Sequence, residues 1–463
     1  MSETNLQQQE VAAEAAFLDA KPIPSALPTR SLDESVKALA KFGGFDFLES
    51  SIDGVKNLNP ERKALKKIFL TEGSKKAERE SLKKKLDLWI KMLSESDDLS
   101  GMFDKATQRL TSISYTLKNN LRVALETTRQ LETNYRSLAL FYKNAESDKI
   151  KNVTIVNAAF EDMKDLDNTR FIDYIADELK QNYDRLDLRN HYAILALPGY
   201  LGSNKVVEKW AKIAHSNKVM LVTDFENLDN VDEVIDMFES ENLTGGDVYR
   251  SNVMMTCNWL VGRGKNQEVG EEEDVMVPPS SAMAGKLYTT LMSQVAAGKK
   301  HGGMNEVDGV KFDLKKSEIS TLDRIGLVPM VNEYGKVMAF SAKTLFNGDN
   351  LGLQTYSVVR VFDYINKTLI DFLNRRAFEN WTGKTEKELR EQIVKFLDGI
   401  TGPSNLIEKF RIDRFERDEV NKDRIHLDIH ITPYFPAKSF MLKLDGTKGD
   451  DGNTNWDTQT KQQ

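Results

Sequence analysis

Three apolar runs constrain this 463-residue chain more tightly than any other feature. HYAILALPG (191–199), KVMLVTDF (218–225) and the stretch from Asn252 to Leu260 are apolar on successive residues, not on alternate ones. A strand reads that way when both its faces are covered, the condition of a largely parallel sheet. Between the runs, Lys205–Ser216 and Val231–Phe238 place apolar residues at helical spacing. Strand–helix alternation of this kind predicts an α/β layer. NVTIVNAAF (152–160) is a further strand candidate, and residues 168–186 predict an amphipathic helix through Phe171, Ile175 and Leu179. LVPMVNEYGKVMAFSA (327–342) reads as a hairpin turning at Tyr334–Gly335.

Helical patterning flanks this layer. From about Lys75 to Asn144 the period is 3.6, with one stripe of Leu82, Leu86, Trp89, Ile90 and Leu93. A longer stripe runs through Leu110, Ile113, Leu117, Leu121, Leu125, Leu131, Tyr135, Leu138 and Tyr142, interrupted near Thr127–Thr128. Asp97–Gly101 separates the two, so a long helical hairpin with coiled-coil-like steps is expected. Near the C-terminus, Val358, Phe362, Ile365, Leu369 and Phe372 mark one helix, and Leu389, Ile393, Phe396, Leu397 and Ile400 another. Thr385 is the expected cap of the second, with Glu388 completing a capping box. The opposite face of that helix carries Lys387, Glu391, Lys395 and Asp398, with Lys384 just ahead, and is free to meet water or a partner. Phe410–Val420 and Arg424–Ile431 then pair as strands, and Ala437–Leu444 gives the last strand.

The resulting expectation is a mixed α/β chain: a flexible arm (1–30), a helical region (31–145), an α/β core (146–350), a C-terminal domain (351–445) and a disordered polar tail (446–463). Within 31–70, short amphipathic helices form around Val36, Leu39, Phe42, Phe45 and Phe47. Lys plus Arg number 64 against 71 Asp plus Glu, a net charge of −7, which disfavours nonspecific nucleic-acid or anionic-membrane binding. No apolar run approaches the roughly 18–20 residues that span a bilayer, so no direct membrane insertion is expected. The opening MSETNLQQQEVAAEAAFLDA lacks a signal peptide's basic start and apolar core, and Cys257 is the single cysteine. Both point to a cytosolic protein without intrachain disulfides.

No catalytic constellation assembles from the sequence, and no cofactor is expected. Gly199-Tyr-Leu-Gly-Ser-Asn-Lys205 follows a strand and opens a helix, but a phosphate loop needs GxxxxGK[ST], and both the spacing and the hydroxyl are missing. His426, Asp428 and His430 share one strand face, yet nothing nearby completes a zinc site, while Ile425, Leu427, Ile429 and Ile431 on the other face explain the strand. Asp224 ends a strand, where a turn or helix-cap role is the simpler reading. His191, His215 and His301 are scattered, Cys257 reads as a buried inert thiol, and Glu271–Asp274 as a solvated loop.

VPPSSAMAGKLYTT (277–290) resembles the VPPSGAVAG signature of contractile phage-tail sheath proteins. AILALPGY, VMLVTDF, GLVPMVNEYGKVMAFSAKTLFNGD, LQTYSVVRVFDYINKTLIDFLNRRAFENW and DRIHLDIHITPYFPAKSFMLKL are similar, in that order, to successive segments of the same family. LETNYRSLALFYKNAESDKIKNVTIVNAAFEDM (131–163) resembles the corresponding stretch of the large sheath subunit of type VI secretion systems, the TssC/VipB family, with Tyr135 where that family usually has Trp. The resemblance implies a structural protein, not an enzyme. Its implied partners are a small TssB-like sheath subunit bound by the helical region, copies of itself in a helical lattice, an Hcp-like inner tube, a baseplate and a recycling Clp-type AAA+ ATPase. It also implies that the helix at Thr385–Ile400 faces the tube, offering Lys384, Lys387, Glu391, Lys395 and Asp398. Strands carrying Ile425, Leu427, Ile429, Ile431, Phe440, Leu442 and Leu444 would then exchange between neighbours. A phage-like contractile injector sheath is the nearest alternative. A nucleotide- or metal-dependent α/β enzyme using Gly199–Lys205 or His426–His430 is the alternative from another class.

Overall fold

The computed structural model describes residues 60–94, 99–146, 150, 152–447 and 454–462. The arm at 1–30 and the short helices expected between 31 and 59 lie outside the described residues. The chain divides into two compact units, residues 1–120 and 121–463.

The first unit is helical among its described residues: Pro60–Thr71 (α1), Lys76–Ser94 (α2) and the opening turns of Leu99–Asn144 (α3). Pro60 suits the first helical position, where a backbone N–H would lack a partner in any case. Arg79 closes the other end of α1 by donating to the carbonyls of Phe69 and Glu72 at 2.7 and 2.6 Å. Of the first stripe Leu86 and Ile90 are buried but Trp89 is exposed, and Phe103, Leu110, Ile113 and Leu117 are exposed as well.

In the second unit Arg170–Tyr183 (α4) leads into Ile194–Tyr200 (β1), Asn204–Ser216 (α5), Met220–Asp224 (β2), Val231–Glu241 (α6) and Val253–Cys257 (β3). Leu260–Arg263 (β4), Val275–Val277 (β5), Ser280–Thr289 (α7), the one-turn Gly298–His301 (α8) and Gly309–Val310 (β6) follow. Lys316–Ile325 (α9) precedes the hairpin of Val328–Glu333 (β7) and Lys336–Ala339 (β8). The sheet order is β1-β2-β3-β7-β8, parallel through β7, with β8 antiparallel at the edge. The expected parallel layer is therefore present. Strands alternate their side chains between two cores. Leu221, Val253 and Met255 meet Trp210, Val234 and Phe238 of α5 and α6 on one face, while Met220, Val222, Met254 and Met330 meet Leu140, Met283 and Leu287 on the other.

Residues 152–159 depart from expectation. They form no strand, and Val153, Ile155 and Val156 are exposed. β-propensity needs a ladder partner, and this segment has none among the described residues. Its contacts are side-chain ones: Thr154 Oγ1 lies 2.9 Å from the Tyr192 hydroxyl, and the Phe160 ring lies over Gly199.

Tyr356–Arg375 (α10) and Gly383–Gly399 (α11) carry the third core, with Ile407–Arg417 (β9) and Ile425–Pro433 (β10) packed as an antiparallel ribbon. α11 starts earlier than expected: Thr382, not Thr385, is the cap, and its hydroxyl accepts from the Thr385 amide at 3.1 Å. Phe440–Thr447 (β11) pairs with Thr454–Gln462 (β12), so the polar tail expected to be disordered contributes a strand. Its Thr and Trp residues have the strand propensity that a Gly/Asp-rich average hides.

Candidate assembly surfaces

The positions with chemical potential are occupied internally. Asp224, fully buried at the end of β2, accepts hydrogen bonds from the Gly199 amide (2.8 Å), the Ser280 amide (2.7 Å) and hydroxyl (2.5 Å), and the Thr256 hydroxyl (2.5 Å). Burial pushes its carboxyl up to about 6, against these four donors that favour the charged form. Asp224 thus ties the turn after β1 to the start of α7, a capping role of the kind the sequence suggested. The Gly199 amide, which a phosphate would need, is spent on Asp224, and Asn204 in the same turn accepts from Arg250 at 3.0 Å. His426 Nε2 lies 2.7 Å from Asp418 Oδ2, and Asp418 is held well below the usual carboxylate range by that contact and by two backbone amides. His430 is exposed, and no group of three metal-ligating side chains is present among the described residues. Burial pushes the Cys257 thiol far up, as an inert core thiol requires.

Sequence reasoning missed three buried polar side chains of α10. Lys367 donates to the Tyr192 carbonyl at 2.9 Å, and burial pulls its ammonium down to about 8. Asp371 accepts from the Leu188 amide at 3.1 Å, four residues along the same face. Arg360 reaches the Leu287 carbonyl at 2.9 Å from a buried site. All three fall opposite the Val358–Phe362–Ile365–Leu369–Phe372 stripe, on the side that the pattern leaves to water, yet the fold buries that side too. The sequence carries no signal for them: charge opposite an apolar stripe reads as a solvent face, and only the covering of α10 from both sides buries it. Glu271 also departs from its reading as solvated. It accepts from Arg263 at 2.7 Å and its carboxyl is held at about 2, chiefly by that guanidinium.

Unsatisfied surface gathers in three places. On α11, Leu389, Ile393 and Leu397 are buried, and Lys384, Lys387, Glu391, Lys395 and Asp398 are all exposed on the other side. Lys384 and Lys387 approach Glu388 and Glu391 at 3.8 and 4.0 Å, and a shallow depression is lined by Arg390, Glu391, Val394, Lys395 and Asp398. The five residues therefore share one solvent face.

The ribbons are the second place. β9–β10 and β11–β12 are two-stranded sheets whose outer edges carry no further strand among the described residues. Ile425, Leu427, Ile429 and Ile431 are partly buried against the α10–α11 core. Phe440 and Leu442 stand 66% and 53% exposed, and the Leu444 side chain lies outside the described residues.

The third is α3. Within residues 121–144 one side is anchored: Glu132 bridges Arg136 (2.8 Å) and Arg263 (2.9 Å), Ser137 meets Ser281 at 2.7 Å, and Leu140 is buried. Glu132 is held at about 2, first by its bond from Arg263. The other side exposes Leu131 (70%), Tyr135 (71%), Leu138 and Tyr142 at four-three-four spacing. The stripe read as hairpin core is thus open among the described residues. Its 3.5-residue repeat is that of a seam awaiting another helix.

A covered α/β core with open ribbons and an open helical seam defines an assembly subunit. Family models describe which one: the type VI secretion system TssC/VipB central domain matches residues 123–347, the TssC/VipB-like C-terminal domain 355–462 and the N-terminal region 32–121. The chain belongs to the TssC/VipB family, a family of structural sheath proteins and not of enzymes. No curated protein matches it. Among solved structures, the contracted helical sheath of the anti-feeding prophage is similar at 16% identity and a TM-score of 0.49, over 69% of this chain and 82% of that one. A chain of the anti-feeding prophage baseplate is similar at 16% identity and a TM-score of 0.41, over 53% of this chain and 64% of that one. A sheath tail protein from Desulfitobacterium hafniense follows at 12% and 0.39, over 63% and 59%. The chain therefore spans somewhat under two thirds of two of these three. The assignment rests on the family models. No helix among the described residues is long and apolar enough to cross a membrane.

Proposed function

We propose that this chain is the large subunit of a type VI secretion contractile sheath. It pairs with a small TssB-like subunit, polymerises as a helical lattice around an Hcp-like inner tube on a baseplate, and contracts to drive the tube. A Clp-type AAA+ ATPase recycles the contracted form. The observation that supports this most directly is the pair of ribbons with open edges beside a sheet whose cores are closed. Open edges are completed by strands from other chains through main-chain hydrogen bonds. Such links persist while rigid bodies rotate, which contraction requires. The α3 seam suits a helix of the small subunit, and the charged face of α11 suits the tube.

Co-expression with a small sheath subunit, followed by electron microscopy, tests the reading. Hollow tubes of regular diameter are the expected result. A chain that stays monomeric with every such subunit overturns it.

A further inference from the structure

Two stretches of this chain carry charge of one sign only. From Val219 to Tyr249 there is no Lys or Arg, and residues 226–241 alone hold seven carboxylates. From Val275 to Asn305 there is no Asp or Glu, and Lys286, Lys299 and Lys300 fall there. Folding sharpens the separation. α6 packs Val234 and Phe238 into the core on one face of the five-stranded sheet. Its solvent side presents Asp232, Asp236 and Glu239, which share one helix face at i, i+4 and i+7. None of the three has an ion pair or hydrogen-bond partner among the described residues, whereas the neighbouring Asp229 is met by Lys311 at 2.9 Å.

The basic stretch lies on the opposite face of the sheet, where Met283, Leu287, Val295 and Ala296 join the second core. Lys336 of β8 adds to it. Its side chain lies flat across Gly303, and a methyl group at 303 would collide with it. Lys286 is half-buried beside it, and its ammonium is pulled down first by burial and then by the charge of Lys336. Lys299 sits 5.4 Å from the ring centroid of Tyr334. Lys286, Lys299, Lys300 and Lys336 have no carboxylate partner among the described residues. Glu333 lies across the hairpin from Lys336 but forms no ion pair with it among those residues. The acidic loop of the chain is no rival occupant, because Arg263 and Arg129 already engage Glu271 there.

We infer that the acidic face of α6 on one copy docks against the Lys286–Lys299–Lys300–Lys336 surface of the next copy. The two patches are complementary in sign, and the helices α6 and α7 that carry Asp236 and Lys286 lie on opposite faces of one sheet. A contact between unlike patches leaves one of each free at the ends, so it propagates head to tail and does not close as a two-fold dimer. Apart from half-buried Lys286 the charges are exposed, so the contact steers and orients copies and weakens as salt rises. This deepens the sheath reading and rests on it.

The test uses the full chain co-expressed with its small subunit and two variants, K299E/K300E and D236K/E239K, with polymer measured by sedimentation and microscopy. Each variant alone is expected to lower polymer yield by about tenfold, as reversed interface charges do. A 1:1 mixture of the two is expected to recover it, because each reversed patch then meets a reversed partner, and the fourfold variant should recover it in one chain. Thermal melting of each variant verifies folding; if a reversal unfolds the chain, K299Q/K300Q and D236N/E239N replace it, each expected to lower polymer yield, with the fourfold neutral variant losing no more than either alone, whereas additive losses overturn the docking. Wild-type tubes with unaffected variants overturn the docking and leave the sheath reading standing. Loss in both variants without recovery in the mixture also overturns the docking, since the patches then meet something other than each other. Wild type forming no tubes overturns the sheath reading itself. In that case carbodiimide coupling of isotope-labelled and unlabelled copies decides the docking, through intercopy links between Asp236 or Glu239 and Lys299 or Lys300.

Discussion

The five-stranded sheet and the C-terminal ribbons use the same strand chemistry and end in opposite conditions. In the sheet, Leu221, Val222, Met254 and Met255 are fully buried, and helices cover both faces. In β11, Phe440, Met441 and Leu442 are exposed, and the ribbon edges stay open among the described residues. Apolar strands left open to water are a liability for a monomer and a resource for a polymer. The difference separates what holds this chain together from what joins it to others. Substitutions in the sheet, or at the β9–β10 side chains packed on α10 and α11, should therefore act on the folded chain, and substitutions at the exposed residues of β11 on assembly alone.

The largest effect belongs to the covered side. Trp210 is fully buried and donates to the Met163 carbonyl at 2.9 Å. Trp210→Ala should cost about 4 kcal/mol in urea unfolding of the isolated chain, through the cavity and the orphaned carbonyl. A loss as small as that of a surface change would show that this core is not closed by the chain itself.

Asp224→Ala comes next, at about 3 kcal/mol, because it leaves buried amides and hydroxyls without an acceptor. Asp224 also has a pH signature. Its folded value, about 6, lies above the ordinary 3.8, so the folded chain binds this proton more tightly than the unfolded one. Its contribution to stability is full below about pH 4 and declines as pH rises through about 6. Glu132 and Glu271, held at about 2 instead of 4.5, run the other way: their contributions are full above about 4.5 and are lost as pH falls toward 2. Urea midpoints against pH should thus flatten between about 4 and 6 in Asp224→Asn, and below about 4.5 in Glu132→Gln. Parallel curves for wild type and variants would refute both assignments.

The open side should behave differently. Leu131→Ser with Tyr135→Ser on α3, or Phe440→Ser with Leu442→Ser on β11, should change chain stability by no more than about 0.5 kcal/mol. The first pair should abolish co-purification of the small subunit, and the second should stop tubes from forming. If instead these pairs unfold the isolated chain, the surfaces are internal contacts and the contrast with the sheet disappears.

How much of this was legible in the sequence follows the same division. The sheet was, because short continuous apolar runs such as KVMLVTDF, alternating with segments of helical spacing, fit strands covered on both faces. The α11 face was as well, since Leu389, Ile393 and Leu397 leave only the other side for Lys387 and Lys395. The fate of the α3 stripe was not legible. Leu131 and Tyr135 repeat as a core stripe repeats, and spacing does not say which chain supplies the other half. NVTIVNAAF misled for a related reason: propensity is local, but a strand exists only where a ladder partner lies. The charge networks were hidden too, because Glu132, Arg263 and Glu271 are brought together from positions far apart in sequence.

The smallest effect tests the weakest surface. Lys387 and Lys395 of α11 are exposed, and the Lys387–Glu391 pair at 4.0 Å is a solvent-screened contact. Exposed pairs are worth roughly 0–1 kcal/mol each, so Lys387→Glu with Lys395→Glu should leave melting of the chain unchanged. Repetition changes the outcome in a polymer, because a small loss on every ring accumulates along the tube. The variant should still form sheath, but with a lower fraction of sheaths containing tube, and the deficit should shrink as salt screens the contact in wild type as well. Counting tube-filled and empty sheaths by electron microscopy at low and high salt checks this. Equal filling at both would mean that this face meets only water, and that the tube is held by another surface of the subunit.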